Sequence, residues 1–251
     1  MSGVGRLLRL AIGPAILIAV WALIQASGAG GRLLPGPGAT LSVTAANLLN
    51  GALLRDIGET LWRVLAAFAA AAAIGVPLGL LLGCDERIYR SVEFLVDFFR
   101  STPATALFPL AMLLFGLGDT AKIAIAAFAA ALVILFNVAY GVMNARKTRL
   151  LAARSMGASR LRAFVDVVIF ETLPQTFVGL RTGISLALVV VIVAEMFIGS
   201  TDGLGHRIID AQISYNLEDL YGSILAAGAL GYALNAGFLV IETRFIHWAG
   251  K

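Results

Sequence analysis

Residues 150–174 read LLAARSMGASRLRAFVDVVIFETLP and lie between two long apolar runs. Leu161, Phe164, Val165, Val168 and Ile169 recur at i, i+3, i+4, i+7 and i+8, which predicts a helix with one apolar face. Arg160, Arg162, Asp166 and Glu171 fall elsewhere on that helix. A shorter helix is predicted over Thr148–Met156, with Gly157 as the break between the two. Ser159 is placed to cap the second helix, and Pro174 is expected to end the loop before the next apolar run. A segment that is basic and apolar at once suits either an anionic lipid surface or a groove on a protein partner.

The rest of the chain explains why such a segment stands out. Of 251 residues, 59% are hydrophobic and only 14% are charged. Mean hydropathy is +0.90, so water is not the main solvent and the chain reads as an integral membrane protein. About six runs approach the roughly 20 apolar residues that cross a bilayer. They are Leu10–Ala26, Val64–Gly83, Ser101–Gly118 (after the amphipathic Val92–Arg100), Ile123–Ala145, Phe177–Ile198 and Leu220–Ile241. Spanning helices are expected rather than a barrel, because the runs do not alternate polar and apolar residues. The first run follows Arg6 and Arg9 like a secretory signal, but it is long for one and is read as a retained helix. The whole chain is expected to form one membrane domain, with a loop at about 146–174. Ser27–Leu61, opening on a Pro/Gly-rich turn, is expected to fold over the outer mouth.

Basic residues set the orientation. With the N-terminus inside, the inner pieces hold Arg6, Arg9, Arg87, Arg90, the six basic residues from Arg146 to Arg162, Arg244 and Lys251. The outer pieces hold only Arg32, Arg55, Lys122 and Arg207. This asymmetry puts both termini and the 146–174 loop on the cytoplasmic side. It also accounts for the net charge of +4 without a nucleic-acid partner. The single cysteine, Cys84, excludes an internal disulfide and a cysteine-based metal cluster.

Polar residues inside the runs are candidate pathway or gate residues: Asn137, Tyr140, Arg181, Ser185 and Glu195. Arg181 and Glu195 lie fourteen residues apart on one helix, roughly 21 Å, so they do not pair with each other. Each also has a plain structural reading as an ion-paired or helix-end residue. Pro103 and Pro109 are expected to kink or loosen the third run.

The pattern Ala152-Ala153-x-x-x-Gly157-Ala158-Ser159, followed by Phe164, Val167 and Leu173-Pro174, resembles the cytoplasmic coupling loop of ABC importer permeases. Two positions depart from the family pattern: Leu151 stands at its usual glutamate and Phe170 at a frequent first proline. The resemblance runs along nearly the whole chain, through "LLPGP" (33–37), "RSTPATALFPLAMLLFGLGD" (100–119), "GLRTGISLALVVVIVAEM" (179–196), "DGLG" (202–205) and "LYGSILAAGALGYALN" (220–235). This ordered set is similar to the permeases that import nitrate, taurine, aliphatic sulfonates and related small solutes. It implies an all-α, type I importer permease fold. It also implies a second permease chain, most simply in a homodimer, two ATPase subunits and a periplasmic substrate-binding protein. By the same resemblance, Leu151, Ala152, Ala153, Arg154, Gly157, Ala158, Ser159 and Phe164 would dock on an ATPase subunit.

Other chemistry is poorly supported. A nucleotide-binding P-loop needs a lysine after a glycine-rich turn, and Lys122, Lys147 and Lys251 have no such setting. ATP and its Mg²⁺ are therefore expected on the partner ATPase, with no cofactor or metal on this chain. His206 and His247 are placed in a loop and the tail, away from Ser185, so no nucleophile–base pair is expected. The alternative is an ion-coupled secondary transporter. That class usually shows internal repeats and embedded acidic groups, and here no repeat is visible and Glu195 is the one candidate.

Overall fold

Among the described residues every regular element is helical. The computed structural model describes residues 3–145 and 147–246, so Arg146, His247 and Lys251 lie outside the described residues. The elements are α1 (Gly3–Ala26), α2 (Pro37–Leu49), α3 (Ala52–Gly83), α4 (Glu86–Ser101), α5 (Phe108–Phe115), α6 (Asp119–Met143), α7 (Lys147–Ser155), α8 (Arg160–Ala163), α9 (Ile169–Phe197), α10 (Leu204–Ile213) and α11 (Leu217–Phe245). Caps mark several starts. Pro37 opens α2, Asp85 accepts a hydrogen bond from the Arg87 amide at 2.8 Å, and Asn216 accepts one from the Asp219 amide at 3.3 Å.

Four helical stretches are long and apolar enough to cross a membrane: Ala52–Gly83, Asp119–Met143, Arg160–Phe197 and Leu217–Phe245. The third expected run is not a straight span. α4 and the segment Ala104–Phe115 pass the length and composition test only together, and they meet at an 88° bend. Thr102 is extended, as a residue before proline tends to be, and Pro103 follows it as the cap of a short 3₁₀ turn. The bend thus falls at Pro103, as expected, whereas Pro109 does not kink a helix, because it sits in the first turn of α5, where its missing N–H costs nothing. α1 is helical, with a shorter apolar part, Ile12–Ala26. The count expected from the sequence therefore becomes four clear spans, a broken fifth and this shorter helix. The 27–61 segment is also more regular than expected, since α2 fills part of it and α3 begins at Ala52.

α6 is the axis of the bundle, gripped by α3 on one side and α9 on the other. Alanine is the commonest residue on its buried face: Ala126, Ala130 and Ala139 are fully buried with Ile134 and Val138. Opposite them, α3 presents Gly75, Gly79 and Gly83, one per turn. A Cβ at these positions would lie 2.8, 2.7 and 2.8 Å from the carbonyls of Ala131, Leu135 and Ala139. α9 repeats the device with Gly179 and Gly183, which face Asn137 and Ile134. In lipid, helix association rests on close van der Waals packing, and small residues let the backbones approach. α11 packs more loosely, and no residue in its apolar window is fully buried.

Two expectations about the 150–174 segment change. Pro174 does not end the second helix, because it lies inside α9 and the helix runs unbroken from Arg160 to Phe197. A π turn at Phe164–Val168 precedes it, and the Thr172 hydroxyl donates to the Val168 carbonyl at 2.6 Å. Such turns and hydroxyls are the devices by which buried helices accommodate proline. The π turn also breaks the expected apolar stripe. Its bonds run i to i+5, as from the Ile169 amide to the Phe164 carbonyl, so the next inward residue shifts by one. Ala163 and Val168 point inward, whereas Leu161 (74% exposed) and Val165 are left outside.

The packing yields a prediction. Gly79→Leu forces a side chain into the α6 backbone and is expected to lower stability by at least about 1–3 kcal/mol. Gly228→Ala, which meets nothing within 4 Å, is expected to be neutral or to gain up to about 1 kcal/mol from helix propensity. Thermal denaturation of the detergent-purified protein measures both, and equal midpoints would contradict the close-packing account.

Candidate functional site: an exposed loop and a buried charge cluster at opposite ends of one helix

The stretch from α7 to Phe164 forms one end of the bundle. α7 closes with two bonds, from the Gly157 amide to the Arg154 carbonyl (2.9 Å) and from the Ala158 amide to the Ala153 carbonyl (3.0 Å). This is a Schellman closure, and Gly157 takes the left-handed φ of +88° that it requires. The space beside Gly157 is open, so glycine is needed for its backbone and not for its size. Ser159 then caps α8, accepting from the Arg162 amide at 3.3 Å.

The loop residues singled out from the sequence come together here. Leu151 is 61% exposed, and Ala152, Arg154, Gly157 and Ser159 are exposed as well. Ala153, Ala158 and Phe164 are partly buried. Met156 (82% exposed) and Leu161 join Leu151 as bare apolar side chains around the glycine turn. Behind the loop is a cavity of about 790 Å³ lined by Cys84, Tyr140, Asn144, Arg154, Arg160 and Phe164, among others. Tyr140, taken from the sequence as a pathway residue, belongs to this cavity.

The other end is organised by Glu195, which is 1% exposed. Its carboxylate accepts from Thr60 Oγ1 (2.9 and 3.0 Å), Arg63 Nη1 (2.9 Å) and the Gly205 amide (2.9 Å). Arg63 also donates Nε to Asp119 at 2.8 Å and Nη2 to Asp202. Lys122 bonds Asp119 (3.2 Å) and Ser200 (3.0 Å). A second node follows directly: Arg207 pairs with Asp219 (2.8 Å) and Asp56 (3.1 Å), and Asn47 reaches Asp219 at 3.0 Å. Burial opposes the Arg207 charge, but the bonds to Asp219 and Asp56 outweigh it and raise the guanidinium above its ordinary pKa.

The "DGLG" block is explained by this cluster. Gly203 has φ +103° and donates to Asp56 at 3.1 Å, and a Cβ there would sit 2.6 Å from the Glu195 carboxyl. A Cβ on Gly205 would be 2.1 Å from the Ile192 carbonyl. Only glycines let this loop close over the carboxylate.

The remaining polar candidates are separated. Asn137 accepts from Gln175 Nε2 at 2.8 Å, which ties α6 to α9. Ser185 accepts from Asn235 Nδ2 at 2.9 Å, which ties α9 to α11. Arg181 is 46% exposed and lies 3.8 Å from Glu242 of α11. It does not meet Glu195, in agreement with their spacing. Sequence reasoning missed Arg63, Asp119, Asp202 and Arg207 as cluster members. Each looked like an ordinary charge at the edge of an apolar run, and the available signal was that runs alternating in direction bring all four edges to the same end of the bundle.

The chain is similar to known proteins along most of its length. The pattern of the family "Binding-protein-dependent transport system inner membrane component" matches residues 75–248. The chain is 35% identical to a probable ABC transporter permease protein of Brucella melitensis, over 99% of this chain and 98% of that one. It is 27% identical to the taurine transport system permease protein of Escherichia coli, over 81% of this chain and 74% of that one. It is 27% identical to the nitrate import permease protein of Synechocystis, over 96% and 90%. Among solved structures, the inward-facing MetNI methionine ABC transporter shares the fold, with a TM-score of 0.68, 22% identity and coverage of 77% of this chain and 95% of that one.

The two ends respond differently to truncation. Glu195→Ala leaves Arg63 buried with fewer counter-charges and strips the Gly205 amide of its acceptor, so a loss of about 3–5 kcal/mol is expected. Arg181→Ala removes a long, half-exposed contact and is expected to cost about 1 kcal/mol or less. Chemical denaturation of the two variants in detergent tests the contrast, and similar losses would contradict it.

Proposed function

We infer the function from one premise: this chain belongs to the family of binding-protein-dependent transport inner membrane components, the permease subunits of ABC importers. On that premise it carries a small solute across the bacterial inner membrane, and the cargo is an anion such as an aliphatic sulfonate or nitrate, or the sulfonate zwitterion taurine. A periplasmic binding protein delivers the cargo to the Glu195 end. Two copies of this chain enclose the path, each acting as one permease domain. ATP and Mg²⁺ are bound and turned over on separate ATPase subunits. Both termini and the loop at about 146–174 face the cytoplasm.

The observation that carries this reading is the exposed glycine turn with its apolar rim. Leu151, Met156 and Leu161 project from a Schellman-closed loop that opens the 38-residue helical stretch Arg160–Phe197. Bare apolar side chains on a rigid turn call for a protein groove, and an ATPase surface supplies one. Leu151, Ala152, Ala153, Arg154, Gly157, Ala158, Ser159 and Phe164 would then be the docking element. Force applied there enters the bundle along its longest helix.

Half-exposed polar groups on α9 point to the path. Arg181 and Ser185, with Glu242 and Asn235 beside them, present polar surface at membrane depth, where lipid is a poor neighbour. Asn137 and Glu195 act as ties between helices, and Tyr140 belongs to the loop-side cavity. The secondary-transporter alternative loses its best candidate here, because the Glu195 carboxylate is already held by Arg63, Thr60 and the Gly205 amide.

The test is co-purification combined with uptake. An ATPase subunit is expected to stay bound to the detergent-solubilised protein, and ATP-driven taurine or sulfonate uptake into proteoliposomes to require both. Gly157→Arg is expected to abolish uptake and release the ATPase while the thermal midpoint moves by only a few degrees. Unchanged uptake in that variant, with no ATPase bound to the parent protein, would sink the coupling reading.

A further inference from the structure

Just before the break between α4 and α5 stands an arginine that no part of the coupling account uses. Arg100 lies in the last turn of α4, 35% exposed, with its guanidinium 4.0 Å from the centroid of the Phe136 ring. Its one hydrogen-bond acceptor among the described residues is Asp97, reached by Nη1 at 3.5 Å. A guanidinium has five N–H donors, so most of its capacity is unspent.

Arg100 lines a cavity of about 350 Å³ together with Thr102, Phe128, Leu132, Val133 and Leu186. Three of these, Phe128, Leu132 and Val133, straddle the middle of the 25-residue α6. The cavity is therefore near the bilayer midplane. A charge at that depth is costly and is kept where it has a use, and broken helices at midplane depth are a general device of transport sites. The 88° bend at Thr102–Pro103 is such a break.

We propose that this cavity is the membrane-depth binding site for the cargo, and that the cargo is a small organic oxyanion with an apolar body. The proposal rests on the anion-import reading above and narrows it. Arg100 supplies the counter-charge through its free N–H donors, and Phe128, Leu132, Val133 and Leu186 receive the apolar body. A bare inorganic anion such as nitrate leaves those walls unused. An aliphatic sulfonate uses both the charge and the walls.

Calorimetric titration of the purified permease–ATPase complex with butanesulfonate tests the site without transport. Parent protein is expected to bind it, and Arg100→Gln to weaken binding at least about tenfold, with Arg100→Lys between them. Val133→Phe fills the apolar half without touching the charge, and is expected to weaken butanesulfonate more than nitrate. Parent protein that does not bind butanesulfonate, or binding unaltered in both Arg100→Gln and Val133→Phe, would overturn the proposal. ATP-driven uptake into proteoliposomes is read separately. Arg100-dependent binding without uptake would remove the import reading and leave the site standing.

Discussion

A carboxylate cannot be left alone in a helix core, and this constraint organises one end of the molecule. Glu195 is reached by a hydroxyl, a guanidinium and a backbone amide, drawn from α3 and the start of α10. Those donors fix the height of α9 against α3 and close the loop after Phe197. Arg63 extends the constraint to Asp119 at the head of α6 and to Asp202. The head of α6 and the last turn of α9 are thereby pinned to one place on α3. Stability alone does not require an ion pair there, since well-packed apolar residues often serve as well. What it provides is a defined register for the three helices.

Below the pinned end, α3, α6 and α9 behave as one block. Their glycines let the backbones approach more closely than any side chain at those positions would allow. α9 then runs beyond the block. Together with α8 and the π turn before it, it forms a stretch of 38 residues from Arg160 to Phe197, roughly 57 Å at 1.5 Å per residue, which joins the exposed loop to the charge cluster. The exposed loop and the anchored cluster are thus the two ends of one helical rod. The π turn at Phe164–Val168 and Pro174 are the two irregular places in that rod, both close to the loop.

Much of this was legible in the sequence because lipid imposes simple rules. Long uncharged runs marked the spans. Gly157 and Ser159 announced a turn and a cap through their own backbone chemistry, and both are found there. The misses have physical causes as well. Pro103 signalled a kink, but a hydropathy count does not register that the chain turns by 88° there and splits into two helices. A search at period 3.6 cannot anticipate a π turn, so Leu161 and Val165 were assigned to a face they do not share with Val168. The charge cluster is assembled from five helices far apart in sequence, and no local pattern connects Arg63 to Asp202. Phe170 at the frequent proline position did carry a usable signal, because the second helix runs on through it.

The central claim is that the glycine-closed loop is where an ATPase subunit engages this chain. Site-directed cross-linking tests it most directly. The native cysteine is first replaced by serine (Cys84→Ser), and a single cysteine is then placed at Met156 or Leu161 in the assembled complex. A short bifunctional maleimide is expected to join either position to the ATPase chain, while a cysteine at Tyr232 of α11 is not. Cross-links from Tyr232 but not from Met156 or Leu161 would contradict the account.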